Sequence, residues 1–217
     1  MKLYRNLLQV GAGLLVATQL THAVVIYETY DGVTAQDSGP AVSYNMGTGI
    51  GFRRALSFPT GSQAYTLTSV TLRLALMSGS SLSFILNLCE DVFEGGVHHP
   101  GSSLGALTTA GNIPQNSGNV TFTAAALALQ PNTTYWVVAE PSLSQSSIVL
   151  WYEGSTASGY SSSSRNNGPW SSWSEVPDVS LAIVVHATPV PEPATWGVIA
   201  ALLAAVAGPL LRGRFLA

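Results

Sequence analysis

Tyr65-Thr66-Leu67-Thr68-Ser69-Val70-Thr71-Leu72-Arg73-Leu74-Ala75-Leu76-Met77 decides the fold class. From Val70 onward every second residue is aliphatic: Val70, Leu72, Leu74 and Leu76 fall on one face, and Thr71, Arg73 and Ala75 on the other. A period of two is the signature of a half-buried β-strand. After Ser78-Gly79-Ser80 the period returns in Leu82, Phe84, Leu86 and Leu88, so the two runs predict a hairpin with one buried face. Further strands are expected at 24–30, 54–58, 119–123, 134–140, 148–153 and 179–187. Outside the chain ends the only helix-like run is Ala124–Leu129, too short to matter, and Gly154–Ser174 reads as a Ser-rich loop. Many strands punctuated by Gly, Pro and Asn predict an all-β fold, an antiparallel β-sandwich of jelly-roll-like type.

Composition narrows the function. The chain has 217 residues, 47% hydrophobic and only 9% charged, with a mean hydropathy of +0.30. Apolar content this high excludes a disordered chain, and the scarcity of Glu, Lys and Arg excludes a coiled coil. The one lysine is Lys2, and the stretch between the chain ends carries four arginines against ten carboxylates. Such a surface has no basic face to meet phosphates, so no nucleic-acid partner is expected, and it suits a hydrated polysaccharide environment. The single cysteine, Cys89, cannot form an intramolecular disulfide and reads as a small buried hydrophobe.

The two ends read as addresses. Lys2 and Arg5 precede an apolar run from Leu7 to Leu20 and then Thr21-His22-Ala23, the pattern of a secretory signal peptide over residues 1–23. Signal peptidase is expected to cut after Ala23; an uncleaved anchor is the alternative, although the run is short for a span. At the other end Pro191-Glu192-Pro193 precedes an uncharged run of 18 residues, Ala194–Leu211, and then Arg212 and Arg214. A helix of that length reaches ~27 Å, about the thickness of a bilayer core. The arginines are expected to stay cytoplasmic. Flanking prolines keep Glu192 on extended, accessible chain.

This tail, residues 190–217, resembles the PEP-CTERM sorting signal. The resemblance implies an exosortase-type processing enzyme as partner, a transient stay in the inner membrane, and delivery to the outer envelope or extracellular matrix. Bearers of such tails are generally associated with exopolysaccharide, biofilm or floc formation. A simple membrane anchor with a Pro-rich stalk is the alternative. The 24–189 stretch also carries the words Tyr65–Leu74 and Leu129-Gln130-Pro131-Asn132-Thr133-Thr134-Tyr135-Trp136-Val137-Val138. They resemble the choice-of-anchor R domain over about Phe52 to Ala187. That resemblance implies an extracellular module and no particular reaction.

Candidate chemistry is sparse. Gly101-Ser102-Ser103-Leu104-Gly105 matches G-x-S-x-G, but a nucleophile elbow needs a parallel strand entering it and a helix leaving it. Glu90, Asp91, Glu94, His98 and His99 cluster between two expected strands and read as a solvated polar loop, without the spacing of a metal motif. The suggestive residues are aromatic. Sugar rings stack on indoles while their hydroxyls seek amides and charges. Arg165, Asn166, Asn167, Trp170 and Trp173 therefore form the candidate carbohydrate-binding set, with packing of the tryptophans onto a sheet as the alternative. No catalytic set, metal or cofactor is expected. The leading expectation is a non-catalytic structural or adhesive protein associated with exopolysaccharide; the second is a carbohydrate-binding module.

Overall fold

The computed structural model describes residues 22–30, 39–79, 84–155, 161–167, 173–175 and 180–191. Residues 23–189 form one compact unit. Its strands are β1 (Val24–Glu28), β2 (Ala41–Asn45), β3 (Ile50–Pro59), β4 (Tyr65–Ser78), β5 (Phe84–Glu94) and β6 (Val97–Thr108). They continue with β7 (Gly118–Leu129), β8 (Thr134–Pro141), β9 (Ser147–Trp151), β10 (Ser161–Asn167), β11 (Ser174–Glu175) and β12 (Ile183–Pro189). The fold is all-β, and every strand pair is antiparallel. Among the described residues no helix is long and apolar enough to cross a membrane. The expected span 194–211, most of the signal peptide, Glu192, Pro193, Arg212, Arg214 and Trp170 lie outside them.

Hydrogen bonding runs in the order β1-β12-β4-β7-β6-β5-β8-β3-β10-β11. Strands β2 and β9 add a bridge, because β2 pairs with β3 and β9 with both β2 and β4. The bridge closes a circuit, β4-β7-β6-β5-β8-β3-β2-β9 and back to β4. Its narrowest link is β6 to β7, joined only at Leu107–Ala124 and Thr108–Thr123. The main core fills the circuit: Leu56, Leu72, Leu88, Phe122, Val137 and Trp151 come from six different strands. The alternation in β4 is as expected from Val70 to Leu74, with Val70, Leu72 and Leu74 fully buried and Thr71 and Arg73 half-buried; past it Ala75, expected on the other face, is buried too and Leu76 is half-buried.

The expected hairpin between the Tyr65–Met77 and Leu82–Leu88 runs does not form. One edge of β4 is taken by β7, with Val70 opposite Phe122. The other is taken by β12, with Val70 opposite Val185, and beyond it by β9. No edge remains for β5, which pairs instead with β6 and β8. Periodicity identifies the buried face and says nothing about which neighbour occupies an edge.

Ala124–Leu129 is not helix-like either; it is the second half of β7, with Leu129 opposite Tyr65. The alanine run prefers helix intrinsically, but the free edge of β4 overrides that weak preference. A bulge marks the compromise. Between Leu67–Leu127 and Ser69–Thr123 the β7 side holds two extra residues, and Ala126 takes φ 45°.

Two expected loops are strands. Ser161–Asn167 within the Ser-rich segment forms β10, paired along its whole length with Ile50–Leu56 of β3. Serine gives no apolar alternation, so this strand is built from backbone pairing that composition does not report. The acidic and histidine-rich stretch is likewise strand. β5 continues to Glu94 and β6 starts at Val97, so that only Gly95-Gly96 turns, at φ 62° and 87°.

Candidate functional site

The sheet segment β5-β8-β3 has two apolar faces. Tyr135, Val137 and Ala139 point into the main core, while Trp136 and Val138 point the other way. There they join Ala55 and Cys89 in a second cluster, and Trp173 packs over it. Arg53 lies beside this cluster. Its Nη1 is 3.2 Å from Glu140 Oε1, and its guanidinium carbon sits 4.1 Å from the centroid of the Trp173 ring. A guanidinium held over an indole is attractive by about 0.5–2 kcal/mol. Trp173 is thus half-buried by packing. Of its candidate partners, Arg165, Asn166 and Asn167 fall on strand β10 rather than in a loop, and Trp170 lies outside the described residues.

Burial governs the charges here. Desolvation lowers the Arg53 pKa, opposed by Glu140. The Cys89 thiol is pushed up to about 12, mainly by burial and next by Glu140, against the pull of Arg53. Thiolate is the reactive form, so at pH 8 folded Cys89 is expected to react with a disulfide reagent at least about tenfold more slowly than unfolded chain. A folded pKa above the unfolded one also fixes the sign of the pH dependence. The contribution is complete below about pH 9 and fades as the pH rises toward about 12. Stability measured across that interval should fall less in Cys89→Ala than in the natural chain.

At the hairpin end of the same sheet, Asp91 is fully engaged. Its Oδ1 accepts from Trp136 Nε1 at 2.7 Å, and its Oδ2 lies 2.7 Å from His98 Nδ1. The His98 ring lies against Phe93, centroids 4.7 Å apart. His99 Nε2 is 3.8 Å from exposed Glu94 Oε2. Among the described residues no three or more His, Cys, Asp and Glu side chains converge as a metal site would require. Ser103 lies mid-strand on β6, opposite Cys89 in an antiparallel ladder, which lacks the strand–turn–helix geometry of an elbow.

The Leu129–Val138 word acquires a mechanical meaning in the β7–β8 turn. Pro131-Asn132 makes the reversal, with Asn132 in the left-handed region at φ 51°, a position asparagine tolerates. Buried Thr60 locks it: the Oγ1 donates toward the carbonyls of Gln130 and Thr133 and accepts from the Thr133 N–H at 2.9 Å. The Asn132 N–H reaches the Gly61 carbonyl at 2.8 Å, and the Gln130 N–H donates to the Tyr135 hydroxyl at 2.8 Å. Between this turn and the β5–β6 hairpin opens a cleft of about 680 Å³, lined by Glu90, Asp91, Leu104, Gln130, Asn132 and Thr134 among others.

Sequence reasoning placed Glu90 and Asp91 in a polar patch but missed Gln130, Asn132 and Thr134. The Pro-Asn dipeptide was a turn signal, yet nothing local indicated that the turn would face Glu90. Neither a family model nor a curated protein matches the chain.

Proposed function

We propose that this chain is an exported, non-catalytic structural or adhesive component of an exopolysaccharide-rich envelope or matrix. In this reading a jelly-roll-like β-sandwich is the working module. It is released from a transient inner-membrane stay by an exosortase-type enzyme acting at Pro191-Glu192-Pro193. One observation carries the reading: strand β12 stops at Pro189, and Val190 and Pro191 are exposed chain outside any strand. A processing enzyme needs such extended, unpaired backbone, and the motif begins two residues past the fold. Sandwich layering is supported by the way β5-β8-β3 and β12-β4-β7 contribute to one core. The absence of catalysis in the reading is supported by how the reactive groups are used. Asp91 is held by Trp136 and His98, and the Cys89 thiol is kept protonated.

Intact-mass analysis of material recovered outside the cell tests the reading. The expected species starts at Val24 and ends near Pro191–Pro193. Retention of Met1–Ala23, or of the apolar tail in extracellular material, would sink it.

A further inference from the structure

We propose that the cleft between the β7–β8 turn and the β5–β6 hairpin is a binding site for a neutral or amino-bearing glycan. The proposal deepens the adhesive reading above and rests on it for the class of ligand. It is carried by the way the cleft divides its polar groups. Asp91, Thr133 and Tyr135 have partners inside the fold and form a fixed floor. The side chains of Glu90, Gln130, Asn132 and Thr134 hydrogen-bond to no described residue, although all four line the same space. They bring one carboxylate, two amides and one hydroxyl to a single opening.

That set matches a sugar. A carboxylate accepts from a pair of neighbouring hydroxyls, and each amide both donates and accepts, as ring hydroxyls require. Leu104, 37% exposed, and Ala128 supply the apolar patch on which the C–H face of a sugar ring can lie. A cleft of about 680 Å³ falls in the range that holds a ligand of several rings or a short oligosaccharide. Thr60 already holds the Gln130–Thr133 turn, so little ordering remains to be done on binding.

Charge selects within the sugars. Glu90 and Asp91 line the cleft, and among the described residues no Lys or Arg does. Uronic, sulfated or phosphorylated glycans are repelled, whereas neutral hydroxyls or an ammonium are welcome. A divalent cation is a poorer match: it wants six or more oxygen ligands, and the Asp91 oxygens are already engaged.

The test uses the exported chain in calorimetric titrations with neutral, amino-bearing and uronic oligosaccharides. At least one neutral or amino-bearing oligosaccharide is expected to bind saturably with Kd below about 1 mM, and the uronic one not to bind. Gln130→Ala combined with Asn132→Gly removes both amides while keeping a residue that accepts positive φ. This variant should lose at least about tenfold in affinity with its melting temperature unchanged. Absence of saturable binding by every neutral and amino-bearing oligosaccharide overturns the proposal. So does unchanged affinity in the double variant, or tighter binding of the uronic oligosaccharide. Loss of binding in Trp173→Ala, with the double variant still binding, would place the site elsewhere and overturns it too. Tail processing, read by mass on the same samples, is independent of the cleft, so failure of the sorting reading and failure of this one are told apart.

Discussion

Replacing Trp136 with alanine is expected to cost the fold about 3–5 kcal/mol, the usual loss for deleting a fully buried large aromatic side chain. Trp136 is 0% exposed and is the largest member of the cluster behind β5-β8-β3. Its loss empties space beneath Trp173 and beside Cys89, which lies directly opposite it in the β5–β8 ladder. It also removes the donor that holds Asp91 Oδ1, leaving a half-buried carboxylate with one partner fewer. Trp136→Phe separates the two effects. It keeps most of the burial and deletes the N–H, so about 1–3 kcal/mol is expected from the lost bond to a charged acceptor. Urea midpoints of the two variants read these values. A loss under about 1 kcal/mol in Trp136→Ala would mean that the second cluster is not packed.

Leu72→Asp is expected to remove most of the stability of the fold. Leu72 is fully buried at the middle of β4, between Val120 of β7 and Ile183 of β12. A carboxylate there has no partner and no water, a penalty above about 4–5 kcal/mol, against a total margin for ordinary domains of about 5–15 kcal/mol. The neighbouring change Arg73→Ser should cost under about 1 kcal/mol. Arg73 points to the other face, donates to Ser117 Oγ at 3.1 Å and lies 5.9 Å from the Tyr152 ring. Its Nε is buried without a partner among the described residues, so removing the side chain relieves a cost as well as losing a contact. Thermal melts of the two variants check the register. Equal shifts would mean that the inward face of β4 is misassigned.

This pair shows what the amino-acid order discloses. The side on which Leu72 and Arg73 fall follows from a period of two and nothing else. Which strands flank them does not, because β7, β9 and β12 come from segments far along the chain. Strand β10 was illegible for a different reason. Its Ser161–Ser164 run has no apolar rhythm and depends on the exposed backbone of β3 as a template. The candidate site combined both difficulties. Glu90 and Asp91 stood out as acidic neighbours, but Leu104 and Gln130 become their neighbours only after β5, β6, β7 and β8 have paired. The aromatic set was legible as residues and not as roles. Trp173 reads equally well as a stacking platform or a packing ring, and its place against Arg53 and the second cluster is the packing arrangement.

The pairing of β1 with β12 has a consequence for how the molecule comes into being. Val24 sits opposite Ala187, so the first strand of the unit hydrogen-bonds to its last. β1 is therefore synthesised first and satisfied last. Its native partner does not exist until Ile183–Pro189 has been made. Contacts this distant in sequence close slowly and only after the intervening chain has been ordered. The same topology inspects the chain for completeness. A product that stops short of Ile183 leaves both β1 and the Tyr65–Leu72 edge of β4 as open templates for another chain. Copies truncated there are expected to be more prone to aggregation or proteolysis than copies in which β12 covers both edges.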